Sequence, residues 1–197
     1  MSRILYLTDR SPYARKVRIL LQEKALAFQP KLVDLQKRSD EFVAVSPLGK
    51  VPVLVDDDGT VVFDSTVIAE YLEDRYPEPS FFGRTWRDRL LCREGEELGD
   101  TISDHAVIAW QANDRKDTAV AERSYGYVEK ALREIDRRRS SGLWPMGFTI
   151  ADISLLSGLE YFELRHGRAR LDPHAGMLAW LDAFRSRSSV RESVPKL

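Results

Sequence analysis

The sequence predicts an α/β unit followed by an all-α unit, on three observations. The first eighty residues alternate short apolar runs with helical patterns, as strands and helices do in an α/β sheet. Two prolines and a glycine then break the pattern between Pro77 and Arg84. From Thr85 onward the apolar spacing is helical only. The expected boundaries are 1–78 for the first domain, 79–84 for a linker and 85–197 for the helical domain.

Residues 3–7 (Arg-Ile-Leu-Tyr-Leu) are a short apolar run suited to a buried strand. Ser11-Pro12 starts a helix, with serine as cap and proline preset for the first turn. Val17, Leu20 and Leu21 give that helix one apolar face. Phe28 to Val33 forms a second strand despite Pro30, and 46–50 is a turn-rich loop. Val51 to Val55 and Val61 to Phe63 are strands joined by a hairpin at Asp57-Asp58-Gly59. Asp64-Ser65 opens a helix, with Ser65 as its cap, that Pro77 and Pro79 end. The order β-α-β, loop, β-β-α is thioredoxin-like. In the second half, Trp86 to Ala109 and Val128 to Ile135 suit two long helices, the second ending in Arg137-Arg138-Arg139. Thr149 and Asp152 form a capping box with Phe148 and Ile153 at the staple positions, ahead of a helix apolar nearly all round. Met177 to Phe184 is the last helix expected.

Composition removes whole classes of function. Hydrophobic residues make up 43% and charged residues 31%, the balance of a folded globular chain. Lys+Arg total 30 and Asp+Glu 31, so no net basic charge draws the chain to nucleic acid. Cys92 is the single cysteine, which rules out an internal disulfide or a CxxC pair. With three histidines a dedicated metal cage is not expected. The N-terminal stretch does not read as a signal peptide and no apolar run is long enough to span a membrane, so the expected compartment is the cytoplasm.

Three places carry chemistry. Ser11-Pro12-Tyr13-Ala14 stands at the first strand-to-helix corner, where thioredoxin-like redox proteins place their cysteine pair. Ser11 and Ala14 exclude disulfide exchange there, but a helix N-terminus and a hydroxyl can still stabilise a bound thiolate. Val51-Pro52 begins a strand at the position where that fold carries a cis proline, and its backbone can pair with an extended peptide-like ligand. Asp64-Ser65 offers a carboxylate for an ammonium, with a hydroxyl and helix amides for a carboxylate, which together match the end of an amino acid. Read alone, the three are an ordinary N-cap, a strand-start proline and a second cap.

Taken in order, SPYARKVRILLQEK, SPLGKVPVLV and FDSTVIAEYLEDRYP resemble the glutathione transferase superfamily, and FTIADISLL resembles its helical-domain folding motif. The likeness is to bacterial, serine-type members. It implies a cytoplasmic homodimer without metal that binds glutathione and activates its thiol for attack on a small hydrophobic electrophile, as in detoxification. It assigns Ser11 to thiol activation, with Tyr6 as second choice, and Tyr13, Lys50, Val51, Pro52, Asp64 and Ser65 to glutathione. It suggests Tyr13, His105 and Trp110 for the second-substrate pocket. Arg15 is read as surface charge, Cys92 as packing, and Ala25 as standing where the family commonly ends a helix with glycine. The alternative is a non-catalytic adaptor of the same fold, which the stringent starvation proteins also resemble.

Overall fold

The computed structural model describes residues 2–195. They divide into two compact units, residues 2–80 with 192–195 and Phe81–Arg191. The split falls between Ser80 and Phe81. Residues 192–195, assigned from the sequence to the helical domain, instead belong to the first unit. Hydrogen bonds hold them there: Arg18 donates to the Glu192 carbonyl across 3.0 Å and Arg15 Nε donates to Ser193 Oγ across 3.3 Å.

The first unit runs β1 (Ile4–Leu7), α1 (Pro12–Glu23), β2 (Gln29–Leu32), α2 (Asp40–Val45), β3 (Val53–Val55), β4 (Val61–Phe63) and α3 (Ser65–Arg75). The sheet order is β2-β1-β3-β4. β1 and β2 are parallel, with α1 as the crossover, while β1–β3 and β3–β4 are antiparallel. This is the thioredoxin-like arrangement. Pro30 is tolerated because β2 is an edge strand. Tyr6 and Val53, paired across β1 and β3, share one face with Phe42 of α2. Leu5, Leu7 and Leu54 point to the other face and are fully buried.

Helix α2 was not expected. It has six residues, of which only Phe42 is buried, so it shows no helical stripe in the sequence. Ser39 caps it by accepting from the Phe42 amide at 3.3 Å. At the end of α1, Ala25 takes φ 54°, and the Ala25 and Leu26 amides donate back to the carbonyls of Gln22 and Leu21. That is a complete Schellman motif built on alanine.

The second unit contains α4 (Trp86–Asp114), α5 (Thr118–Ser140), α6 (Ile150–His166), a 3₁₀ turn over Asp172–His174, α7 (Ala175–Phe184) and α8 (Ser188–Arg191). α4 packs on both α5 and α6. Gly99 and Gly158 let α4 and α6 touch: a Cβ at Gly99 would stand 2.5 Å from the Leu155 nitrogen. α6 is buried around its circumference, as its apolar composition predicts. Its N-terminus carries the expected capping box. Asp152 Oδ2 accepts from the Thr149 amide at 2.7 Å and hydroxyl at 2.8 Å, and Oδ1 accepts from Trp144 Nε1 at 2.8 Å. Burial still holds the Asp152 carboxyl above its ordinary pKa. Phe148 stacks on Phe184, with ring centroids 4.9 Å apart. Cys92 is buried on α4.

Candidate functional site

Strand direction collects the three sequence motifs at one end of the first unit's sheet. β1 leads out of that end into the Ser11 corner. β3 runs antiparallel to β1, so Val51-Pro52 enters there, and Tyr6 pairs with Val53. β4 runs antiparallel to β3, so it leaves at the same end, with Phe63 beside Val53 and Asp64-Ser65 directly after. Residues far apart in sequence thus share one edge because of the strand directions alone.

Ser11 caps α1, its Oγ accepting from the Ala14 amide at 3.1 Å. That bond uses an oxygen lone pair and leaves the hydroxyl proton for another acceptor. Proline at the first helical position has no amide, and no acidic side chain occupies the first turn. The corner therefore keeps its positive end. Tyr13 follows in that turn, partly exposed.

The Val51–Pro52 bond is cis. The N–H and C=O of Val51 take no partner among the described residues, so this segment has a free backbone edge. The loop before it is closed by the Gly49 amide on the Ser46 carbonyl at 3.0 Å and by the Ser46 hydroxyl on the Lys50 carbonyl at 3.0 Å. Lys50 is exposed.

At α3 the structure corrects the expected cap. Asp64, not Ser65, is the N-cap, accepting from the amides of Thr66 at 3.0 Å and Val67 at 3.2 Å. Its φ of 73° puts an L-residue in a region that glycine favours, a strain commonly found at ligand sites. Ser65 is the first helical residue and is only 5% exposed. Its hydroxyl and amide have no partner among the described residues, and the hydroxyl is not sealed from solvent.

The resemblance gives Tyr6 the second-choice role in thiol activation. Tyr6 is 3% exposed and donates its hydroxyl to Glu41 Oε1 at 2.8 Å. Burial and the Glu41 carboxylate push the phenol up to about 12. Lys31 pairs with the same carboxylate and holds Glu41 below the ordinary range, with Tyr6 contributing.

Several functional-looking residues prove to be scaffold. Arg15, read as surface charge, is 2% exposed, and its Nε donates to Ser193 Oγ. Lys16 is 1% exposed and donates to Thr66 Oγ1 at 3.3 Å, tying α1 to the first turn of α3. Lys24 is buried too, paired with Glu73 at 2.9 Å and donating to the carbonyls of Tyr76 and Pro79. Sequence reasoning missed both lysines, although Lys16, Leu20 and Lys24 follow i, i+4, i+8 along the buried stripe. The carboxylates of Asp56, Asp57 and Asp58 come within 4.8 Å of one another. Arg3 already sits against two of them, 2.7 Å from Asp56 and 3.5 Å from Asp57. Tyr71 and Tyr76 donate to Asp56 as well, at 2.7 and 2.9 Å.

Two of the suggested pocket residues lie in the helical unit. His105 stacks flat on Tyr127, with centroids 4.3 Å apart and planes 7° apart, and burial lowers its pKa. Trp110 carries the guanidinium of Arg165 over its ring. Among the described residues no helix is long and apolar enough to cross a membrane.

Similarity to known proteins agrees with this geometry. Residues 5–80 match the family described as the glutathione S-transferase N-terminal domain. A glutathione S-transferase from Methylobacillus flagellatus KT, solved with glutathione bound, is 33% identical with a TM-score of 0.90, covering 99% of this chain and 100% of that one. The uncharacterized GST-like protein YibF of Escherichia coli K12 is 41% identical over 100 residues, 50% of this chain and 49% of its own length. A stringent starvation protein A homolog of Histophilus somni is 40% identical over 75 residues, 38% of this chain and 35% of its own. The chain thus spans half or less of these curated relatives, whereas the structural relative is matched from end to end. On that full-length match, the chain belongs to the glutathione S-transferase family.

Proposed function

We propose that the chain binds reduced glutathione at the shared end of the sheet and ionises its thiol for attack on a small electrophile. The observation that carries this reading is Ser65, almost wholly buried yet with an amide and hydroxyl that no described residue uses. At the start of an eleven-residue helix such a pair suits a carboxylate, and the exposed Asp64 beside it suits an ammonium. This is the γ-glutamyl end of glutathione. The open N–H and C=O of Val51 pair with the cysteinyl backbone as an added strand would. Lys50 serves the glycyl carboxylate. The Methylobacillus relative, solved with glutathione bound, supports the same ligand.

Ser11 supplies the chemistry. A thiol of pKa about 8.5 is only a few per cent ionised at neutral pH. Lowering it by about two units, worth roughly 2.7 kcal/mol, makes thiolate the majority form. The Ser11 hydroxyl donates to the sulfur while its oxygen keeps the Ala14 amide, and the α1 N-terminus adds its dipole. The thiol proton goes to solvent. The thiolate then forms a C–S bond to the electrophile as a leaving group departs with the electron pair. Tyr6 is not assigned this role, because its proton belongs to Glu41.

The test is a thiol titration of bound glutathione together with a conjugation assay on a halonitroaromatic. A depressed thiol pKa with turnover supports the transferase. Glutathione binding with no turnover on any electrophile favours the adaptor reading, which similarity to stringent starvation proteins keeps in view. A homodimer is proposed as well. Phe63 and Val67 in the first unit and Trp86 and Leu90 on α4 are exposed apolar side chains of the kind that pairing covers. Sedimentation of the intact chain decides it.

A further inference from the structure

Close packing requires Gly95, Gly99 and Gly158, where an added Cβ would stand 2.7 Å or less from an atom of the facing helix. Gly126, in the middle of α5, is different: a Cβ there would meet nothing within 4 Å. No neighbour demands this glycine, and glycine is the poorest helix former after proline. What it leaves is an opening. Gly126 lines a cavity of about 360 Å³, walled by α5, by Phe162 of α6 and by Arg170 beyond that helix. That volume is in the range of small-molecule sites. None of Tyr13, His105 and Trp110 lines it.

The floor is apolar: Val128, Leu132 and Phe162 are each at most 2% exposed. Glu122, Gly126 and Glu129 follow i, i+4, i+7 along α5, so a carboxylate stands on each side of the opening. Arg170 closes one end, with Nη2 donating to Glu122 Oε1 at 2.8 Å and its guanidinium carbon 3.8 Å from the Tyr125 ring centroid. Behind Glu129, Arg133 Nε donates to Oε1 at 2.7 Å and His174 Nε2 lies 3.2 Å from Oε2. Each of these bonds uses one lone pair of its oxygen, so both carboxylates can accept more. Glu122 Oε2 has no partner among the described residues. The Tyr125 hydroxyl is taken by Asn113 and His166, at 2.8 and 3.1 Å. Glu122 and Glu129 against Arg170 leave the lining one net negative charge. An apolar floor under a negative mouth rich in acceptors suits a cation that brings its own donors and an apolar body.

We propose that the cavity beside α5 binds a small apolar primary amine in its ammonium form, with the hydrocarbon on Val128, Leu132 and Phe162 and the ammonium between Glu122 and Glu129. The site does not rest on glutathione binding.

The experiment titrates the full chain calorimetrically at neutral pH with 1-naphthylmethylamine, which is protonated there, and separately with the neutral 1-naphthylmethanol. The amine should bind at least tenfold more tightly than the alcohol. Gly126→Leu, which fills the opening with a better helix former, should weaken the amine at least tenfold without lowering the melting temperature. Gly126→Ala should stay within about threefold. Glu122→Gln combined with Glu129→Gln should remove the preference for the amine and leave the alcohol within about twofold. Trp110→Leu should leave amine binding within about twofold. No amine binding at millimolar concentration, an alcohol bound as tightly as the amine, or a loss caused by Trp110→Leu and not by Gly126→Leu overturns the proposal.

Discussion

Tyr6 donates its hydroxyl proton to Glu41 across 2.8 Å, and the resulting pair is locked against Lys31. On the proposed function, a phenol proton committed to Glu41 is not the one offered to the bound thiol. Tyr6→Phe should therefore leave kcat/KM for glutathione conjugation within about threefold, at most about 0.7 kcal/mol of transition-state stabilisation. Ser11→Ala should lower it about ten- to hundredfold, the loss of one hydrogen bond to a charged sulfur. Steady-state kinetics of the two variants side by side separate the roles. The reverse ranking would move thiol activation to Tyr6.

Ser65 should act on binding rather than on chemistry. Ser65→Ala removes the unpartnered hydroxyl and should raise KM for glutathione about tenfold, with kcat changed little, as expected for a bond made equally in ground and transition states. Equal losses in kcat and kcat/KM would place Ser65 nearer the reacting sulfur than this account allows.

Ala25 holds a Schellman position at φ 54°. An L-residue there costs about 1–2 kcal/mol, and glycine's extra freedom in the unfolded chain returns part of it, about 0.4–1 kcal/mol. Ala25→Gly should raise stability by about 0.5–1 kcal/mol in chemical denaturation, without changing glutathione kinetics.

His174 is buried, 2.7 Å from Asp136 and 3.2 Å from Glu129. Burial alone would lower its pKa, but the two carboxylates outweigh it and raise it. A raised histidine stabilises the fold fully below its unfolded pKa of about 6.5, and the gain is lost as pH climbs through the folded value. The melting-temperature advantage of the native chain over His174→Gln should be largest near about pH 6 and shrink toward about pH 8.5. An advantage that grows with pH would contradict the ion-pair assignment.

Much of the candidate site's local geometry was legible from the sequence, because its parts are local. A serine before proline at a strand end, a strand-start proline and an acid-serine pair each announce their own geometry. The Asp64 cap was not, since choosing between adjacent capping residues depends on a φ of 73° that no pattern encodes. Helix α2 was missed because one buried residue makes no periodicity. Lys16 and Lys24 were missed because a lysine on an apolar stripe reads as polar until its distant partner is known, Thr66 for one and Glu73 for the other.

The most direct test of the central claim is a calorimetric titration of the intact chain with reduced glutathione. The account predicts saturable binding, one site per chain, with proton release near neutral pH as the thiol ionises. No heat of binding at millimolar glutathione would contradict it.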